Sequence, residues 1–432
     1  MNPLDFQEFP ATSLEDWKKL VSKELGEKPL ESLQWNTGLG FSLEAYYTGP
    51  VKATTIGNRK PWEIAQCLHD SDNQIALDCL AGGAQSLVWA RELESLDSAL
   101  KGIFLNYISS HFSGMKNAVD FNHTWLAYLQ ANGYDSKQIN GSLAFDAFLQ
   151  GADEASIIAL ATSFKHNYSL FRVLAANADA WHNKGASPVV ELAYALAAGN
   201  EYLHVLTQNG FTVDEASAMI QFNFATGSSY FIEIAKYRAF RQLWSLLIEQ
   251  YQPVHQCTKN AFVHASTSLY LQSAYDGYNN LLRATTQAAS AIIGGADSVC
   301  VMPFDAAFAE AGSSSARWAR NIQHLLREES YFDQLQDAGS GSYYIENLTS
   351  ELGQQAWSLF QEIEEMGGVK KGIEKLSTLT EDYDRLQKQA IAEGKKVWVG
   401  VNKYPNKQES SFAGSNHRLV SDFESNRSKQ EA

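Results

Sequence analysis

Four cysteines in 432 residues, Cys67, Cys79, Cys257 and Cys300, are too few and too scattered for a disulfide framework, and no Cys-x-x-Cys pair offers a zinc ribbon. They read as reduced, structural thiols. Proline (9) and glycine (29) are both scarce, which excludes collagen-like and low-complexity chains. Basic residues number 34 against 49 acidic ones, a formal net charge of −15, so the basic stripe that grips a polyanion is missing. The N-terminus has no basic segment followed by an apolar one, and nowhere do about 18 apolar residues run together. These absences leave a globular chain expected in the cytoplasm, with neither nucleic acid nor membrane as a partner.

What is present is an ordinary apolar content of 45%, and a length that suits two or three average domains or one large barrel with appendages. Thr12 and Glu15 form a capping-box pattern, Leu14, Trp17, Val21 and Leu25 recur at helical spacing, and Gly26 supplies a stop, which predicts an amphipathic helix. Residues 1–60 are read as an N-terminal arm that packs on something else. Short apolar runs then follow at 86–90, 102–108, 142–148, 170–176, 218–225, 261–266 and 297–304, separated by amphipathic segments. Seven runs and an eighth near Tyr331 predict an α/β fold, a (β/α)8 TIM barrel over 61–350 with the N-terminal helical arm and C-terminal helices attached. A doubly wound sheet is the alternative, but it ordinarily carries a Gly-rich first turn. The C-terminal helices occupy 351–404, where Leu352, Ala356, Leu359, Phe360, Ile363 and Met366 share a face before Gly367-Gly368 and a second helix covers 381–392; residues 405–432 read as a polar tail.

Functional side chains of such a barrel sit where strands end. His182 follows the fourth run and His264 lies within the sixth, both able to act as acid, base or hydrogen-bond donor, and both equally at home as structural histidines. Asp146 and Asp305 complete a ring of polar candidates, although a strand-end Asp commonly caps the next helix. No His, Cys and carboxylate cluster has metal-ligand spacing, Gly82-Gly83 and Gly294-Gly295 do not extend into phosphate-binding loops, and Gly339-Ser340-Gly341-Ser342 is as well a tight loop as an anion site.

Longer strings matter together: Lys60-Pro61-Trp62-Glu63-Ile64, HNKGASPVVELAYALAAGNEYL from His182, YFIEIAKYRAFRQLW ending at Trp244, YNNLLRATTQA from Tyr278, ARNIQHLLREES ending at Ser330, GSGSYYIENLT, EEMGGVKKGIEK, and VGVNKY ending at Tyr404. In this order they resemble the methylmalonyl-CoA mutase family across residues 30 to 405. The resemblance implies a barrel that threads an acyl-CoA along its axis while a separate cobalamin domain faces its mouth. It also implies roles for His182 and His264 as active-site histidines, and for Asp146 and Ser266 as substrate-reading positions.

The chain departs from the family pattern at several of these points. The family's Asp-x-His-x-x-Gly cobalamin signature is not found: Ser109 and Ala180 stand two places before His111 and His182. The third-strand string Thr-Ile-Gln-Asn-Asp appears as Ser142-Leu143-Ala144-Phe145-Asp146, and Ser266 replaces the Gln expected after His264. No arginine follows Asp146 before Arg172 to clamp a substrate carboxylate; Lys165 is the one Lys or Arg between them. Gly57 lies about where the family has a tyrosine, and Lys60 replaces an arginine. The resemblance therefore implies a small, non-catalytic subunit that binds no cofactor itself. Its partner would be a large subunit carrying adenosylcobalamin in a heterodimer. The alternative is a catalytic barrel that borrows a separately encoded cobalamin carrier and accepts a different acyl-CoA.

Overall fold

The computed structural model describes residues 12–48, 60–69, 71–308 and 312–406. The expected tail from 407 onward and the Gly57 position lie outside the described residues. Nine parallel strand segments fill eight positions of a barrel: β1 (Glu63–Leu68), β2 (Ser86–Trp89), β3 (Ser109–Phe112), β4 (Asn140–Leu143), β5 (Leu170–Arg172 and Leu174–Asn177), β6 (Ile220–Thr226), β7 (Phe262–Thr267) and β8 (Ser298–Cys300). β8 pairs back onto β1, with Cys300 opposite Ala65. β5 is split at Val173: its first piece pairs with β4 and its second with β6. The Ala175 N–H donates to Phe145 O at 2.8 Å and closes the gap.

Two of the expected strands are corrected. The run at 102–108 is a turn and a short 3-10 helix, and the strand follows it at Ser109–Phe112. The apolar residues Ile103 and Leu105 are buried against the main core, so hydrophobicity marked the approach to the strand and not the strand itself. No strand forms near Tyr331, which sits at φ 55° before a 3-10 turn; the remaining strand is Glu63–Leu68, at the beginning of the barrel. Its polar Glu63, Gln66 and Cys67 conceal it, because side chains of a barrel strand alternate between the axis and the surrounding helices.

Helices cross between strands: α2 (Asn73–Ala81), α3 (Ala118–Ala131), α4 (Glu154–Asn167), α5 (Pro188–Gln208), α6 (Tyr230–Gln250), α7 (Asn279–Gly294) and α8 (Ser313–His324), after α1 (Leu14–Leu25) in the arm. α5 starts where Ser187 caps Val190 N–H and Pro188 occupies the first turn, a position that needs no amide donor. Its Gly199 is required by packing, since a Cβ there would lie 2.5 Å from the Trp244 ring. Gly141 in β4 has φ 141°, and a Cβ would meet Ser110 O at 1.9 Å, so the β3–β4 pairing needs glycine at that point.

The C-terminal helices are α9 (Tyr343–Glu365), which runs across position 350, and α10 (Val369–Ala392), which begins well before 381. Leu352, Ala356, Leu359, Phe360 and Ile363 are buried as their spacing predicts, while Met366 is exposed. α9 packs on α5 and α6, and α10 packs on α5, so α5 is enclosed on its outer side as well as its inner one. The arm differs: α1 buries none of its side chains, is capped by Ser13 with Asp16 one residue beyond the expected box, and stacks Trp17 on Tyr46. The arm reaches the body through Leu43, which joins the core, and Trp35, which stacks on Tyr344 of α9.

Candidate functional site

At the C-terminal end of the barrel, a chain of buried polar groups links β5, β6, β7, α5 and α6. His182, in the short helix after β5, places Nδ1 2.9 Å from Glu191 Oε1 and Nε2 2.8 Å from the Ser268 hydroxyl just beyond β7. Lys236 of α6 donates to Glu191 Oε2 at 3.0 Å and to Ala225 O at 2.6 Å, and pairs with Glu233 at 2.7 Å. Burial opposes the Lys236 charge, but the two carboxylates outweigh it and hold the ammonium above its ordinary pKa. Nearby, burial pushes the Asp179 carboxyl up to about 6, against the pull of the Ala180 N–H. Tyr270 stands edge-on to His182 at 6.4 Å and donates its hydroxyl to Asp384 of α10 at 2.5 Å, so the last helix is drawn over this corner. Both nitrogens of His182 are thus engaged within the protein.

Asp146 has a structural position. Its carboxylate is fully buried and accepts from the Asn177 N–H at 2.7 Å, the Tyr194 hydroxyl at 2.6 Å, and the N–H groups of Phe148 and Leu149 at 3.1 Å. It caps the turn after β4 and ties that turn to the end of β5. Burial pushes its carboxyl up, with these four donors opposing. Ser266 lies on the inward face of β7, in register with Ala225 and Cys300. Asp305 is in the loop after β8, where burial raises its carboxyl and Ser315 opposes. Gly341 belongs to a loop whose N–H donates to Glu346 at 3.0 Å, and Ser342 then caps α9.

His264 is inside the barrel rather than at its mouth. Its Nδ1 is 3.1 Å from Ser298 Oγ, and burial pushes its pKa down to about 4. Across the axis, His111 of β3 bonds Ser142 at 2.8 Å, and its ring centroid is 5.7 Å from that of His264 and 6.2 Å from that of Phe262. Strands β3 and β7 are diametrically opposed in an eight-position barrel. Ring contacts between them therefore span the axis. The Arg172 guanidinium of β5 lies 3.8 Å from the Phe262 ring centroid, with Glu63 and Asp297 as the neighbouring charges. Burial lowers the Arg172 pKa to about 10 and raises that of Glu63. Along the same interior, Glu63 Oε2, Ser86 Oγ, His111 Nε2, Arg172 Nη1 and Gln221 Oε1 are buried without a hydrogen-bond partner.

The four site residues named from sequence thus divide: His182 and Asp146 at the mouth in separate networks, His264 and Ser266 on the inner face of β7. Sequence reading missed Glu191, Glu233, Lys236 and Ser268. One signal was available, since Glu191 is the lone charge among the apolar residues 188–198, and an ion in an apolar run implies a buried partner. His111 and His182, the two His-x-x-Gly histidines, do not fit cobalamin: His182 has both nitrogens bound and His111 faces the filled axis. Among the described residues no group of three His, Cys, Asp or Glu side chains is placed to hold a metal ion.

A closed parallel barrel with a buried polar mouth and a helical pair clasping one side defines an α/β barrel of the TIM type. The family model for methylmalonyl-CoA mutase matches residues 65–430. The chain is 33% identical over 440 residues to the methylmalonyl-CoA mutase small subunit of Porphyromonas gingivalis, covering 93% of this chain and 71% of that protein. It is 29% identical to a methylmalonyl-CoA mutase of Cereibacter sphaeroides, covering 90% of this chain and 64% of that one, and 31% identical to a probable methylmalonyl-CoA mutase small subunit of Mycobacterium tuberculosis, covering 90% and 69%. The chain belongs to the methylmalonyl-CoA mutase family, and spans about two thirds of the length of these relatives.

Proposed function

We propose that this chain is the small, non-catalytic subunit of a heteromeric methylmalonyl-CoA mutase. Its partner is a large subunit that holds adenosylcobalamin and interconverts methylmalonyl-CoA and succinyl-CoA. The observation that carries the reading is the filled axis: Phe262, His111, His264 and Arg172 meet where a thioester's long arm would have to pass. Threading an acyl-CoA there would require breaking ring contacts and moving a half-buried cation. His182 supports the same reading, because its donors and acceptors are committed to Glu191 and Ser268 and none is left to polarise a substrate carbonyl. Names of relatives in two different organisms, both small subunits, agree with a heteromer.

Co-expression with the expected large subunit tests the proposal. The expected outcome is a stable complex on size-exclusion chromatography, and no turnover of any acyl-CoA by this chain with a separately supplied cobalamin carrier. A stable monomer that forms no complex would overturn the subunit reading. Turnover with a carrier, abolished by His182→Ala, would establish the catalytic alternative instead.

A further inference from the structure

A cluster of sulfur groups lines the C-terminal end of the axis, apart from the polar network at His182. Ala65 of β1 is in register with Cys300 of β8, and two residues further along β1 Cys67 projects to the same inward face. Cys67, Cys300, Met302 and Ala65 pack with Val88 and Leu269 in a small patch separate from the main core. Cys67 is half-buried and its Sγ lies 3.6 Å from Nε2 of the exposed His69. Cys300 is buried in the same patch beside Cys67.

The His69 ring nitrogen within reach of its sulfur favours a thiolate at Cys67. Contact with Cys300 pulls the Cys67 thiol down against the effect of burial, and His69 adds to the pull. In return, Cys67 holds the His69 imidazole up, and contact with Cys67 together with burial pushes the Cys300 thiol up. The other two cysteines lack this arrangement. Cys79 is buried and pushed up by that burial, while Cys257 is exposed, which makes it an internal control for accessibility.

We propose that Cys67 is a peroxide-reactive thiol, with His69 as the acid that assists its oxidation. The Cys67 thiolate attacks one oxygen of a hydroperoxide, forming an S–O bond as the O–O bond breaks. The electron pair leaves on the distal oxygen, which takes the His69 imidazolium proton and departs as water, or as an alcohol from an alkyl hydroperoxide. Sulfur is oxidised by two electrons to a sulfenic acid, the peroxide is reduced by two, and His69 is left neutral. The modification places a polar oxygen at the barrel mouth and does not depend on the proposed subunit role.

The test uses the full chain, equimolar hydrogen peroxide, a sulfenic-acid trap and peptide mass spectrometry, at about pH 6.5, where an ordinary thiol is almost wholly protonated. The expected result is a Cys67 adduct forming at least about tenfold faster than one at Cys257, with His69→Ala and His69→Gln each slowing Cys67 about tenfold and leaving Cys257 unchanged. Oxidation of Cys257 at an equal or faster rate would overturn the proposal, as would a Cys67 rate indifferent to both His69 substitutions. His69 is exposed, so these variants leave the core intact, and circular dichroism verifies it.

Discussion

Lys236 at the barrel mouth and Arg172 on its axis are both cations withdrawn from water, yet they are held differently. Lys236 is fully buried and has three oxygen partners within 3.0 Å, two of them carboxylates. Arg172 rests on the Phe262 ring, and its Nη1 is buried with no hydrogen-bond partner. A charge removed from water is tolerable where paired groups replace its hydration, and is a standing cost where they do not. The mouth is therefore a fixed electrostatic joint between α5, α6 and the strand ends. The axis is a plug of rings and orphaned polar atoms, in which shape dominates over pairing.

The largest effect expected of any substitution discussed is at the joint. Lys236→Met leaves Glu191 and Glu233 buried without their cation and should cost about 3–5 kcal/mol, read as a lowered urea midpoint. Asp146→Ala should cost about 2–3 kcal/mol, because the Asn177 N–H, the Tyr194 hydroxyl and two turn N–H groups lose a buried acceptor. Arg172→Met is expected to change stability by no more than about 1 kcal/mol in either direction, since the lost stacking offsets relief from desolvation. A penalty at Arg172 as large as that at Lys236 would break the comparison.

The pH response probes the axis from another side. The folded-state pKa of His264, about 4, lies below the value near 6.5 of an unfolded histidine, so protonation favours the unfolded chain. Its contribution is intact above about pH 6.5 and is lost as pH falls towards 4, with a slope of up to about 1.4 kcal/mol per pH unit. His264→Leu should flatten the curve of urea midpoint against pH across that window. An unchanged curve would mean that this imidazole is not shielded as described.

The alternation of apolar runs and amphipathic segments made the barrel legible in the sequence, and the face shared by Leu352, Ala356 and Ile363 located α9. β1 was hidden because Glu63 and Cys67 point to the axis, where polar side chains break the apolar run that marks a buried strand. The site was legible only in fragments. His182 stood out by position after a strand, but Ser268 bonds it from 86 residues away, and Lys236 reaches Glu191 across 45. Pairings at such separations follow from barrel closure and helix packing, not from local spacing. Asp146 follows the capping reading open to a strand-end Asp: its carboxylate closes the turn after β4.

Turnover of the assembled mutase tests the central claim most directly. This chain, carrying His182→Ala and His264→Ala together, would be combined with the large subunit and methylmalonyl-CoA conversion measured at saturating cofactor. The account predicts kcat and KM within about twofold of the unsubstituted complex. A loss of kcat beyond about tenfold, with the complex still intact, would contradict it.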